Sequence, residues 1–195
     1  MQEVSEEILT KFLIHCMTAI FETRIPKVSK PVIPAQNIRQ YIVKDDEVGL
    51  MYLETCAGNI FQSHSDIRVF TNDDGALDQV WGMHVISRIS RGELVKANLA
   101  PTDILRFLIN ARLRGFGLTR KRIARGEKYS LLDVEQYKEP APVGKNGTPG
   151  DLAYNENIDD DITFFCGDEV VRFEPEQCPC EKSVIFTAYY QGGRI

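Results

Sequence analysis

Apolar residues recur at helical spacing near the N terminus and again near the middle of the chain. In the first segment Ser5 can cap a helix, and two acidic residues follow it. The apolar stripe of this helix contains Ile8, Leu9, Phe12, Leu13, Cys16 and Ile20. The second segment, APTDILRFLINARLR, begins near Thr102 or Asp103, and it is predicted to end where Gly115 and Gly117 supply permissive backbone.

Short segments that alternate apolar and polar residues follow each helix and predict strands. After the first helix they are VGLMYLET, NIFQS, DIRVF and QVWGMHVISRI, and after the second DLAYNE, ITFFC, EVVRFE and SVIFTAYYQGGRI. Because the order of elements repeats, we predict an α+β protein of two similar halves, 1–98 and 99–195. In each half an N-terminal helix packs on an antiparallel β-meander, and the second half carries a basic helical insertion at about 118–139.

Residue correspondences within the chain favour an internal repeat. Both helices contain Phe-Leu-Ile, and five strand positions match at an offset of 102 without gaps. The matched pairs are Tyr52 and Tyr154, Glu54 and Glu156, Ile60 and Ile162, Asp66 and Asp168, and Val69 and Val171. Each Glu follows a Tyr by two residues on a strand, so the two side chains are expected to lie on the same side. The Tyr and Glu pairs are candidates for lining a pocket, and exposed strand positions are the alternative.

The second half contains FLINAR, DLAYNE, FFCGDEVVRF and a terminal aromatic strand. These segments resemble a bacterial domain family of unknown function whose members sometimes accompany helix-turn-helix regulators. In that family a Gly and two acids precede the penultimate strand, as Gly167, Asp168 and Glu169 do here. Trp81 and Met83, which match its last strand, stand in the first half instead. The resemblance implies an α+β fold in two degenerate tandem copies, and it implies no reaction.

The composition is that of a globular protein, with 43% hydrophobic and 26% charged residues. The N-terminal segment begins acidic and has polar residues among its apolar ones, unlike a signal peptide, and no transmembrane run follows. Five cysteines without framework spacing indicate reduced thiols. We therefore expect a cytoplasmic protein with no membrane partner and no cofactor.

Positive charge is concentrated in one part of an acidic chain. The net charge of −5 gives no general attraction to nucleic acid, yet residues 106–128 hold eight Lys or Arg and one acid, Glu127. The rest of the chain carries −12. Such a cluster suits phosphates or an acidic protein partner, and pairing with acids of the other half is the alternative. The candidate contact residues are Arg112, Arg114, Arg120, Lys121, Arg122 and Arg125.

Nucleic-acid binding through 112–128 is a further alternative. The segment 120–138 can be threaded as helix, turn and helix, which is a DNA-reading arrangement. The would-be reading helix carries Asp133, Glu135 and Glu139, however, and these would face the acidic groove with the wrong charge. The sequence therefore disfavours DNA binding.

Several residues are candidates for catalysis. Cys166 and His64 suggest a nucleophile and a base, with Asp66 or Asp168 as the orienting acid. An alternative carboxylate set consists of Glu54, Glu156 and Glu169. Buried and inert cysteines are the commoner explanation for a thiol in a strand. No set of catalytic groups recurs in both halves, which favours a non-enzymatic binding or regulatory protein over a small-molecule enzyme.

One cysteine pair suggests metal binding. Cys178 and Cys180 could supply two thiolates, whereas a structural zinc site needs four ligands. The other cysteines and the three histidines are scattered along the chain. A turn between two strands is the simpler interpretation of CPC, and no metal site is predicted.

Overall fold

The computed structural model describes residues 4–23, 38–57, 62–70, 77–129, 136–142, 147–158, 162–178 and 180–195. Within these ranges it contains three helices and eight strands, which confirms the predicted α+β class. The helices are α1 (Glu6–Thr23), α2 (Arg91–Ala97) and α3 (Pro101–Arg125). The strands are β1 (Ile38–Asp45), β2 (Leu50–Ala57), β3 (Gln62–Phe70), β4 (Leu77–Ile89), β5 (Tyr137–Pro140), β6 (Gly150–Ile158), β7 (Phe164–Pro175) and β8 (Ser183–Arg194).

The chain divides into two compact units, each discontinuous in sequence. The first unit comprises Met1–Ile86, Asp159–Cys166 and Tyr190–Ile195, and the second comprises Ser87–Ile158 and Gly167–Tyr189. Strands β4, β7 and β8 each have residues in both units. The two units therefore consist of different residues from the tandem halves 1–98 and 99–195 that the sequence predicts. The origin of those halves by duplication stays a prediction.

In the first unit, α1 covers a meander of antiparallel strands. The Ser5 hydroxyl accepts the Ile8 N–H at 3.3 Å, which confirms the predicted cap. The apolar stripe of α1 is buried from Leu9 to Cys16 and partly buried at Ile20, and the helix contacts β2. The strands are ordered β1-β2-β3-β4, and a bulge after Ile67 shifts the β3–β4 register.

The core of the first unit contains a row of large side chains across three strands. Tyr52 on β2 lies opposite Ile67 on β3, which lies opposite Trp81 on β4, and none of the three is exposed to solvent. The Trp81 ring stacks on Phe165 with 5.8 Å between centroids, and its indole N–H donates to the Ile162 carbonyl at 3.2 Å. The indole of Trp81 therefore has both a packing partner for its ring face and a hydrogen-bond acceptor for its N–H within this unit.

In the second unit, α3 is longer than the sequence predicts. The Asp103 carboxylate accepts the Ala100 N–H at 2.9 Å, so the predicted cap near Asp103 is confirmed. The predicted end of the helix at Gly115 and Gly117 is wrong, because α3 continues through both to Arg125. Gly115, Phe116 and Thr119 are all buried, so tertiary packing on this stretch outweighs the low helix propensity of glycine.

The strands of the second unit also form an antiparallel arrangement. They are ordered β8-β7-β6-β5, and α3 contacts β6. The sequence predicts a basic helical insertion at about 118–139. In the structure this segment is helical only to Arg125, where α3 ends, and Tyr137–Pro140 form strand β5. Residues 130–135, which include most of the would-be reading helix, lie outside the described residues.

The predicted strands are present with different limits. NIFQS and DIRVF contribute to the single strand β3, and ITFFC and EVVRFE contribute to the single strand β7. Strands β1 and β5 and helix α2 have no counterpart in the prediction. No helix in the described ranges combines the length and the apolar character needed to cross a bilayer.

Two glycines of α3 and its cap provide a test of the helix limits. We expect Gly117→Ala to raise the free energy of unfolding by about 0.5–1 kcal/mol, because a Cβ there meets no atom within 4 Å and alanine favours helix. Gly126→Ala should lower it by about 1–2 kcal/mol, because Gly126 has a φ of +67°. Urea unfolding of both variants measures the two effects, and destabilisation by Gly117→Ala would contradict a helix continuous to Arg125.

Candidate functional site

Each unit contains a buried tyrosine whose hydroxyl lies near a carboxylate. In the first unit the Tyr52 hydroxyl lies 3.2 Å from Glu54 Oε2 and 3.1 Å from Ser65 Oγ. The Cys56 thiol donates to Glu54 Oε1 at 3.5 Å. Burial, followed by the negative charge of Glu54, raises the pKa of Tyr52 well above its usual value. This tyrosine is therefore an internal hydrogen-bonding group.

The second unit places a buried ion pair beside the corresponding tyrosine. The Tyr154 hydroxyl lies 3.4 Å from Glu156 Oε2, and Glu156 lies directly opposite Glu169 on β7. The Arg112 guanidinium donates two hydrogen bonds to Glu169, from Nε at 3.1 Å and from Nη2 at 2.7 Å. Burial, then Glu169 and then Glu156 raise the pKa of Tyr154 well above its usual value.

The placement of each Glu beside its Tyr confirms the prediction that the two side chains share a side. The gapless offset of 102 does not extend through the hairpins, however. That offset would place Glu169 opposite Tyr154 as Ile67 is opposite Tyr52, but Tyr154 lies opposite Val171. The second hairpin is therefore shifted by two residues, and Glu169 takes the place across from Glu156 that Ser65 takes across from Glu54.

Arg112 belongs to the core rather than to the basic surface. Its side chain is only 15% exposed, and Glu169 is not exposed at all. A carboxylate removed from water requires a matched cation, and the two-pronged arginine contact provides one. The sequence placed Arg112 and Glu169 in separate candidate sets, because 57 positions separate them and no local pattern connects them.

The remaining candidate contact residues on α3 fall into two groups. The Arg114 guanidinium lies 5.5 Å from the centre of the Tyr137 ring, where it packs as a cation on an aromatic face. Arg120, Lys121 and Arg125 are exposed, whereas Arg122 is partly buried. All four lie beyond Thr119, the last buried residue of the helix. We call residues 120–125 the basic end of α3.

The catalytic candidates are not assembled into a triad in the described residues. Cys166 and His64 are exposed side chains of the first unit and share no hydrogen bond, while Asp168 belongs to the second unit. Asp66 is held by Arg68 through two hydrogen bonds of 3.2 and 3.1 Å. Of the carboxylate set, Glu169 accepts two hydrogen bonds from Arg112 and is therefore already engaged in an internal ion pair.

Among the described residues, the cysteine pair is not joined by further metal ligands. Cys178 and Cys180 are both exposed, and the Glu181 N–H donates to the Cys178 carbonyl at 2.9 Å, as in a turn. Across the described ranges no three His, Cys, Asp or Glu side chains are placed to hold one ion.

Comparison with known proteins does not identify a family for this chain. The chain matches no family model, no curated protein and no solved structure. The resemblance to a bacterial domain family of unknown function accordingly stays a prediction. The physical properties of the site are therefore the basis for any functional proposal.

The buried ion pair predicts a pattern of stability changes. We expect Arg112→Met to lower the free energy of unfolding by about 3–5 kcal/mol, because Glu169 would stay buried without its cation. The double variant Arg112→Met/Glu169→Leu should recover most of this loss. Chemical denaturation measures both. As a control, Arg106→Met removes an exposed pair with Asp103 and should cost about 0.5 kcal/mol or less. Equal losses in the single and double variants would contradict the pairing.

The two buried tyrosines predict how stability depends on alkaline pH. Because both pKa values are raised in the folded chain, it keeps two protons that the unfolded chain releases above about pH 10. The free energy of unfolding should therefore fall as the pH rises beyond about 10. Tyrosinate absorbance and circular dichroism followed together provide the measurement, with Tyr52→Phe/Tyr154→Phe as the reference. Ionisation of all seven tyrosines before any loss of structure would contradict the burial.

Proposed function

We propose that the protein is a non-enzymatic binding module that binds an acidic polypeptide segment through the basic end of α3. The observation that carries the proposal is the position of this end beyond Thr119, where the helix no longer contributes buried residues. Arg120, Lys121 and Arg125 are exposed there, and no acidic residue occurs between Ile104 and Gly126. These cations are available for an external anion in a way that Arg112 is not.

The helix dipole accounts for only part of this charge. Cations in the last turn interact favourably with the negative end of the dipole, and Arg122 and Arg125 occupy that turn. Arg120 and Lys121 precede it. Arg125 also lies 3.7 Å from the Glu127 carboxylate, an exposed pair that competes weakly with an external partner.

The acidic balance of the whole chain favours a polypeptide over a nucleic acid as the partner. A net charge of −5 opposes the approach of a long polyanion, whereas a short acidic segment meets mainly the local positive charge. The basic end spans about 9 Å of helix, which matches roughly three residues of an extended peptide. Glu139 also disfavours a nucleic acid, because it is one of the acids that would face the DNA. Hydrogen bonds from Asn110 and Tyr137 hold this negative charge in place.

Two further observations support a binding role within the cytoplasm. The catalytic candidates Cys166 and His64 are not joined by a hydrogen bond in the described residues, as a nucleophile and its base would be. All five cysteines are free, which fits a reducing compartment. The proposal therefore assigns recognition rather than chemistry to this chain.

Charge removal at the basic end tests the proposal. We expect a fluorescent peptide of ten glutamates to bind the wild-type chain at low ionic strength, and Arg120→Gln/Lys121→Gln/Arg125→Gln to weaken binding about tenfold or more. Raising the salt to 1 M should abolish binding, because the screening length falls to about 3 Å. Fluorescence anisotropy measures all three states.

The control variant removes three exposed cations elsewhere in the same unit, Arg88→Gln/Arg91→Gln/Lys96→Gln, so that the net charge changes equally. It should bind the peptide like the wild type. An equal loss in both variants would show a general charge effect and overturn the assignment. Duplex DNA that binds the wild type more tightly than the peptide would favour the nucleic-acid alternative, and no binding of either probe would remove the proposal.

A further inference from the structure

Two of the three histidines in the chain lie directly opposite each other on neighbouring strands of the first unit. His64 on β3 is the Cα partner of His84 on β4. Side chains of directly opposed residues in antiparallel strands lie on the same face, with Cβ atoms about 4.5–5.5 Å apart. The ring centroids of His64 and His84 are 6.3 Å apart, and the ring planes are inclined by 49°. The sequence gives no sign of this pairing, because 20 positions separate the two residues and their register depends on the fold.

The separation of the two rings suits a shared metal ion. A bond from an imidazole nitrogen to a divalent transition metal is about 2.0–2.1 Å, and the ring centroid lies about 1.15 Å beyond that nitrogen. Two imidazoles on one ion therefore have centroids at most about 6.5 Å apart. The observed 6.3 Å lies within this limit, so rotation of the side chains can bring one nitrogen of each ring to the same ion.

The surroundings of the pair favour a cation over an empty surface. The His64 side chain is 56% exposed and His84 is also exposed, so an ion and its water ligands can reach both rings. Asp66 Oδ2 lies 4.0 Å from His64 Nε2, and this carboxylate is 95% removed from solvent and fixed by Arg68. A carboxylate that hydrogen-bonds a ligating imidazole restrains the ring, and a small rotation of the His64 ring would bring Asp66 within hydrogen-bonding distance.

We propose that His64 and His84 form a two-imidazole site for a divalent transition-metal ion, with water in the remaining positions. Binding exchanges two water molecules of the aqua ion for two neutral imidazole nitrogens, and no electron is transferred. In the described ranges no third His, Cys, Asp or Glu is placed to hold the same ion, so the remaining positions are open to water. Imidazole ligands and the stability order of divalent ions make Cu²⁺ the tightest occupant, whereas Ca²⁺ prefers oxygen ligands and should not compete.

The opposed strands provide the affinity that a single surface histidine lacks. Once one ring has bound the ion, the second is held nearby by the strand register, so its binding is intramolecular. Either histidine alone would retain only a monodentate contact. Removing either histidine should therefore weaken metal binding by nearly the same factor. Isolated surface histidines would not give this result.

A Cu²⁺ titration of the untagged full-length chain tests the site. The exposed thiols should first be removed by Cys166→Ser, Cys178→Ser and Cys180→Ser, because thiolates bind and reduce copper. We expect one equivalent of Cu²⁺ to bind, with an electron paramagnetic resonance spectrum showing nitrogen ligands. His64→Gln and His84→Gln should each weaken binding at least tenfold, and excess Ca²⁺ should leave it unchanged.

His15→Gln is the matched control, because His15 is the third histidine and is exposed on α1. It should bind Cu²⁺ like the parent chain. Circular dichroism of all three variants checks that these exposed substitutions leave the fold intact. Unchanged binding in His64→Gln or His84→Gln would overturn the proposal, and so would a comparable loss in His15→Gln. Binding of the acidic peptide is a separate property with its own assay. The outcome of the Cu²⁺ titration therefore neither supports nor contradicts the function proposed for the basic end of α3.

Discussion

The buried ion pair between Arg112 and Glu169 determines how the positive charge of α3 is divided. Glu169 is fully buried and requires a cation, and Arg112 supplies it through two hydrogen bonds. The pair connects α3 to β7 within the second unit and so helps to hold the helix on the strands. Because the helix then continues past Thr119, the four cations of the basic end of α3 lie beyond its last buried residue. The same helix thus contributes to stability at its centre and, in the proposed function, to recognition at its end.

Both units bury a tyrosine beside a glutamate, but they surround the pair with different polar groups. In each, a long helix contacts the strand that carries a buried tyrosine, and a glutamate two residues further on lies beside its hydroxyl. In the first unit Ser65 completes the group across the hairpin, whereas the second places Glu169 there and adds Arg112. The architecture is therefore similar where the tyrosine is buried and different where charge enters the core.

The sequence predicted those parts of the fold that depend on local patterns. The Ser5 cap, the start of α3 near Asp103 and the strand containing Tyr154 follow from capping chemistry and alternation. The end of α3 was missed because packing around Gly115 outweighs its low propensity. The ion pair and the opposed histidines could not be predicted, since both depend on which distant residues the folded register brings together.

Nuclear magnetic resonance of the arginine Nε–H groups during titration with an acidic peptide tests most directly whether the charges of α3 are divided in this way. The account predicts a slowly exchanging Arg112 signal that the peptide leaves unchanged, because Glu169 holds this group in the core. The signals of Arg120 and Arg125 should exchange fast and shift as peptide is added. A shift at Arg112, with those two signals unmoved, would contradict the account.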